Sequence, residues 1–227
     1  MRKILFLMVG VFMLSVSAVS AESPNPTTDE QKTLYALGLA VSQSLAGFNL
    51  SEAELAVVNA GITDGVLKRT PKVNAQEFMP KVQQLQQSRL AVVSETEKKQ
   101  GADFLAKAAA EKGATKTASG LVISTIKAGT GESPKATDKV KVHYHGTLID
   151  GTVFDSSVER GQPATFPLNG VIPCWTEGVQ RMKVGEKSRI VCPSQIAYGD
   201  RGAPPKIKPG ATLIFEVELL EIVKDSK

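Results

Sequence analysis

The sequence predicts an α+β chain, in which a helical N-terminal part leads through one long helix into a mainly antiparallel sheet covered on one face by a short helix. Three observations carry this reading. A Ser, Thr or Asn followed three residues later by Glu recurs at three places before residue 78, each time ahead of helically spaced apolar residues. A helical pattern then runs to Gly113, and beyond it apolar and polar residues alternate with period two.

The first segment stands apart. Arg2 and Lys3 precede the apolar run 4–16, and Val19-Ser20-Ala21 supplies small residues of the kind a signal peptidase accepts. Residues 1–21 therefore read as a cleavable signal peptide. The run is short against the roughly 20 apolar residues a membrane span needs, and no cysteine follows it to take a lipid, so no stable membrane anchor is expected. This places the mature chain in the periplasm, with release or display at the outer surface as the other exported destinations.

Three helices follow a polar stretch. Thr27 with Glu30 opens the first as a capping box, and Leu34, Leu37, Val41 and Leu45 share one of its faces. After a turn at 47–50, Ser51 and Glu54 form a second box flanked by Leu50 and Leu55, and the stripe Leu55, Val58, Ile62, Val66 ends before Pro71. Asn74, answered by Glu77, opens the third, which the pattern extends to Lys112, a rod of about 57 Å bent near Pro80. Its middle, residues 83–100, is polar nearly all round, which favours a helix that bridges domains through solvent over the alternative, a helix packed against the C-terminal domain. Residues 22–74 are too few to bury a self-sufficient core, so a homodimer built through these helices is expected.

Beyond Gly113 the chain is extended. Residues 121–126 form a first strand. Val140, Val142, Tyr144 and Leu148 then face one way while Lys141, His143, His145 and Thr147 face the other, and Asp150-Gly151 is a turn. Further strands are expected at 187–191 and 212–223, with a short helix over 175–182 ahead of them.

Composition narrows the chemistry. With 42% hydrophobic and 22% charged residues the chain is globular, and a net charge of +4, two units of which belong to the leader, gives no basic stripe for a nucleic acid. No GxSxG elbow, CxxC pair or phosphate loop is present. His143 and His145 share a strand face but lack a third ligand, which favours solvated histidines over a metal. Cys174 and Cys192 fit either a bridge or two small core residues, and the core reading is preferred. What remains is an aromatic set gathered in the C-terminal part: Tyr144, Phe154, Phe166, Trp175, Tyr198 and Phe215.

The strings DGTVFDSS, GQPATFPL, VIPCWTEG and AYGDRG, in this order, resemble the FK506-binding protein (FKBP) family of peptidyl-prolyl cis-trans isomerases. YALG, the long rod and ASGL resemble the N-terminal extension of its macrophage infectivity potentiator branch. The resemblance implies an FKBP-like bent antiparallel sheet around a short helix at 114–227, carried by a connecting helix at 75–113 and a dimerisation segment at 22–74. It implies no cofactor and no metal. Asp155, Tyr198, Phe154 and Ile172 would serve catalysis. Tyr144, Arg160, Phe166, Val171, Trp175, Ile207 and Phe215 would join them in binding the substrate, with Trp175 as floor. Partners would be proline-containing unfolded or flexible chains, and macrolides of the FK506 or rapamycin type. Ala164, Cys174, Ala203 and Lys206 depart from the broader family pattern, and lost rim surface weakens a large macrolide more than a short proline turn. A dimeric holding chaperone whose pocket only docks clients is the alternative function, and a bare interaction module is a third.

Overall fold

A computed structural model of the protein describes residues 25–224. The signal-peptide expectation for residues 1–21 lies outside them. The described residues divide into two compact units, residues 25–41 and 42–224. Helix α1 (Asp29–Gln43), which makes up most of the first, exposes Leu34, Tyr35 and Leu37. Its start differs from the expected box by one residue. Thr28 Oγ1 accepts from Gln31 N–H, and the Gln31 side chain accepts from Thr28 N–H in return, so Thr28 and Gln31 do what Thr27 and Glu30 were expected to do.

The second unit opens with a 3-10 turn at Ala46–Phe48 and helix α2 (Glu52–Val66), which starts at the expected Ser51–Glu54 box. Helix α3 (Ala75–Ala110) is capped by Asn74 and spans about 54 Å. Arg89 on α3 donates to the Glu54 carboxylate and to the carbonyls of Phe48 and Asn49. Residues 42–74 are thereby tied to the long helix, which is why they group with all that follows.

Seven strands make one antiparallel sheet: β1 (Ala114–Lys116), β2 (Val122–Lys127), β3 (Lys139–Leu148), β4 (Val153–Ser156), β5 (Ala164–Pro167), β6 (Lys187–Cys192) and β7 (Leu213–Val223). Their order is β1-β2-β6-β7-β3-β4, with β5 also on β3. The predicted alternation on β3 holds, with Val140, Val142 and Tyr144 buried and the histidines turned to the other face. Strands β4 and β5, not separately foreseen, share one edge of β3: Asp155 pairs with Gly146 and Phe166 with Val140. Helix α4 (Pro173–Gln180) starts with Pro173 in its first turn and buries Cys174, Trp175, Gly178 and Val179. With Leu121, Val140, Leu168, Met182, Ile190, Leu213, Val217 and Leu219 these fill the main core between helix and sheet.

Two expectations are corrected here. Cys174 and Cys192 form a disulfide, their α-carbons 5.8 Å apart, where the sequence favoured two separate core residues. The first turn of α4 lies directly over the end of β6, a proximity that a sequence separation of 18 conceals. The polar middle of α3 is also not wholly solvent-bridging, because its C-terminal half lies on the sheet. Its buried residues, Ser94, Gly101 and Ala108, are seven apart, about two turns each, and so form one face. Phe104, Leu105 and Ala108 pack with Val122, Val191 and Ile214. Ser94 Oγ donates to Asp200 at 2.6 Å, and Lys98 and Lys208 make ion pairs with Asp200 and Glu97. A Cβ on Gly101 would stand 2.2 Å from Thr212 Oγ1, so only glycine lets helix and sheet approach this closely.

Candidate active site

The cup is built from the ends of several elements. On β3, Tyr144 points inward because of strand parity, and its backbone is held by Ser157: Tyr144 N–H donates to Ser157 Oγ at 2.8 Å, and Ser157 N–H donates to the Tyr144 carbonyl at 3.0 Å. Gly146, two residues on, leaves the space that Phe154 needs, since a Cβ there would lie 2.7 Å from Phe154 Cζ. Strand β4 supplies Phe154 and Asp155, β5 supplies Phe166, and β7 supplies Phe215. The turn ahead of α4 supplies Gly170, Val171 and Ile172, and its first turn Trp175. Tyr198, 41% exposed, closes the rim.

These ten residues enclose a cavity of about 460 Å³. Trp175 is its floor, met edge-on by Tyr144, Phe215 and Phe166 with ring centroids 5.2, 5.3 and 5.8 Å away. Phe154 meets Phe215 edge-on at 5.4 Å. Edge-to-face contacts tie each ring to its neighbours, each worth about 0.5–1.5 kcal/mol beyond the area it buries. The Trp175 Nε1–H is buried without a hydrogen-bond partner among the described residues.

One ionic cluster borders this apolar wall. The Tyr144 hydroxyl donates to Asp155, and Arg160 donates both to Asp155 and, at 2.8 Å, to the Tyr144 oxygen. Burial alone would raise the Asp155 carboxyl, but the Tyr144 hydroxyl and the Arg160 guanidinium outweigh it and hold the group below the usual carboxylate range. Burial, and next the Asp155 carboxylate that accepts its proton, push the Tyr144 phenol up. Asp155 is thus a fixed anion with its oxygens engaged, a polar rim and not a proton shuttle. Ile172 is the N-cap of α4. Its carbonyl accepts from Trp175 and Thr176, while its own N–H precedes the helix and takes no part in that ladder.

Of the residues singled out in the sequence, Tyr144, Phe154, Asp155, Phe166, Val171, Ile172, Trp175, Tyr198 and Phe215 meet in the cavity. Arg160 stands behind it, acting on Asp155 and Tyr144. Ile207 lies outside the ten lining residues: it is buried and lines an adjoining hollow, because its backbone pairs with Ala203 and folds the 203–207 segment back on itself. Gly170 was missed, since a glycine carries no side-chain signature. His143 and His145 each set Nδ1 against a serine hydroxyl, of Ser157 and Ser156.

Comparison with known proteins agrees with this geometry. Residues 130–220 match the model of the FKBP-type peptidyl-prolyl cis-trans isomerases, and residues 30–123 match the domain amino terminal to them. The FKBP-type peptidyl-prolyl cis-trans isomerase FkpA of Aeromonas hydrophila is 43% identical over 90% of this chain and 81% of its own. The FKBP-type 22 kDa isomerase of Escherichia coli K12 is 41% identical over 88% and 99%. The crystal structure of FkpA from Escherichia coli superposes with a TM-score of 0.66 at 37% identity, covering 88% of this chain and 99% of that one.

Proposed function

The chain belongs to the FKBP-type peptidyl-prolyl cis-trans isomerases, and on that premise we propose that the aromatic cup over Trp175 is where an X–Pro bond is twisted. The observation that carries this is the cup itself: a hollow walled by the rings of Tyr144, Phe154, Phe166, Trp175 and Phe215, with Asp155 as the charged side chain among its lining. Rotation about the amide faces a barrier of about 18–20 kcal/mol because the twisted state loses resonance. The planar amide is the more polar form, and water stabilises it. Transfer into the cup removes that water and favours the less delocalised twisted state, so the barrier falls without acid, base or nucleophile.

The edge groups hold the substrate. Ile172 N–H donates to a substrate carbonyl, the Tyr198 hydroxyl donates a second hydrogen bond, and Asp155, fixed by Arg160 and Tyr144, orders the rim. The substrates are proline-containing segments of unfolded or flexible chains. X–Pro isomerisation left alone takes about 10–100 s and limits folding. The apolar run behind Arg2 and Lys3 supports the periplasm as compartment. The exposed apolar residues of α1 and α2 support a homodimer joined through the N-terminal helices.

The test is the cis-to-trans rate of an X–Pro tetrapeptide with the full chain, Tyr198→Phe and Asp155→Ala. Acceleration by the unmodified protein is expected. Each substitution should reduce kcat/KM, by about two- to tenfold for the neutral hydrogen bond of Tyr198 and by about ten- to 150-fold for the charged rim of Asp155, with near-ultraviolet circular dichroism unchanged. Full activity in both variants would refute these assignments.

A further inference from the structure

Beside the proline cup lies a second hollow of about 300 Å³, lined by Phe154, Asp155, Tyr198, Ala203, Pro204, Pro205, Lys206 and Ile207. Phe154, Asp155 and Tyr198 line both cavities, so the two are contiguous across that rim. A peptide whose proline fills the cup therefore has a flanking residue within reach of the hollow. Ala203, Pro204, Pro205 and Ile207 make its wall apolar, and Lys206 puts one ammonium into it.

That ammonium is placed and uncompensated. Lys206 Nζ donates to the Phe154 carbonyl at 2.8 Å, which anchors the charge at the junction of the two cavities. Two of its three donors remain for a ligand. Asp155, the one carboxylate in the wall, is already engaged by Arg160 and Tyr144, and Lys206 has no carboxylate partner among the described residues. On the same loop Asp200 and Lys208 are committed to Lys98 and Glu97 of α3. The mouth is left with a positive charge facing the space a flanking side chain would enter.

We propose that Lys206 makes this hollow a charge-selective subsite, favouring substrates with Asp or Glu next to the isomerised proline. The inference rests on the cup being the isomerase site.

Two tetrapeptide series test it, with Glu, Gln or Lys immediately before or immediately after the proline. Gln matches Glu in shape and lacks its charge. In one series kcat/KM for Glu should exceed that for Gln about two- to fivefold, the range of a partly exposed ion pair, with Lys lowest. The preference should shrink in about 0.5 M salt, where the screening length is a few ångströms. It should fall to near unity in Lys206→Met and invert in Lys206→Glu. A Glu-to-Gln ratio of one in both series, with the Gln peptides still accelerated, would overturn the subsite and leave the isomerase reading standing. So would a preference that survives Lys206→Met. No acceleration of any peptide would overturn both readings.

Discussion

Asp155 shows how one residue's environment sets its behaviour with pH. Its folded pKa is depressed, so the contribution of its charge is fully present above the ordinary carboxylate value of about 3.9 and is lost as pH falls through the lower folded value. Activity should therefore be flat in this group across neutral pH, with the acid limb below the ordinary range. Arg160→Ala removes a bond that stabilises the anion while burial, which opposes it, remains. The acid limb of kcat/KM for an X–Pro tetrapeptide should move to higher pH, and superimposable profiles would show that Arg160 does not tune Asp155. At this scale the site was legible where side chains carry it: the aromatic residues and Asp155 sit in motifs whose order is visible in the chain. Gly146 and Gly170 contribute room or backbone, which leaves no mark in a list of residue types. Ile207 lines the adjoining hollow because Ala203 and Ile207 pair across a tight loop, a pairing that nothing in the sequence announces.

Among the elements, α2, β3, β7 and α4 could be read from caps, period-two alternation and apolar spacing, because each signal is local. The docking of α3 could not. Large apolar residues fail to line up along residues 83–100, and a search for such a stripe misses a face made of Ser94, Gly101 and Ala108, where smallness is the signal. The disulfide was hidden for a related reason, since pairing depends on where α4 lands on β6 and not on spacing. The close approach at Gly101 gives the helix docking a direct test. Gly101→Leu places a branched side chain where a Cβ alone would already overlap Thr212 Oγ1, so the helix must lift or Thr212 must move. The loss should be about 1–3 kcal/mol in urea denaturation, the usual cost of overpacking. Adding Thr212→Ala should restore part of it by vacating the contested volume. An unchanged midpoint in the single variant would mean that α3 does not rest on the sheet in solution.

For the whole molecule, the N-terminal helices pose a problem that one chain leaves unsolved. Leu34 and Leu37 of α1 are about 60% exposed, and Leu55, Ile62 and Val66 of α2 are 39%, 41% and 72% exposed, although their spacing marks the faces that helices normally bury. A second copy offers the same faces in a self-complementary arrangement, the commonest way such surfaces are covered. Two cups on one particle would let a long client bind at two prolines, raising the effective concentration at the second cup without new contacts, whereas a tetrapeptide reaches one cup at a time. The two properties can be separated. Leu55→Glu with Ile62→Glu puts carboxylates on the α2 face, away from every residue of the cup. Sedimentation equilibrium should give a dimer for the unmodified chain and a monomer for this variant. Tetrapeptide turnover per chain should stay the same, while catalysis of a proline-limited refolding reaction of a full-length protein should drop several-fold. A monomeric unmodified chain would refute assembly through these helices. A monomeric variant that refolds clients at the full rate would show that assembly serves something other than client capture.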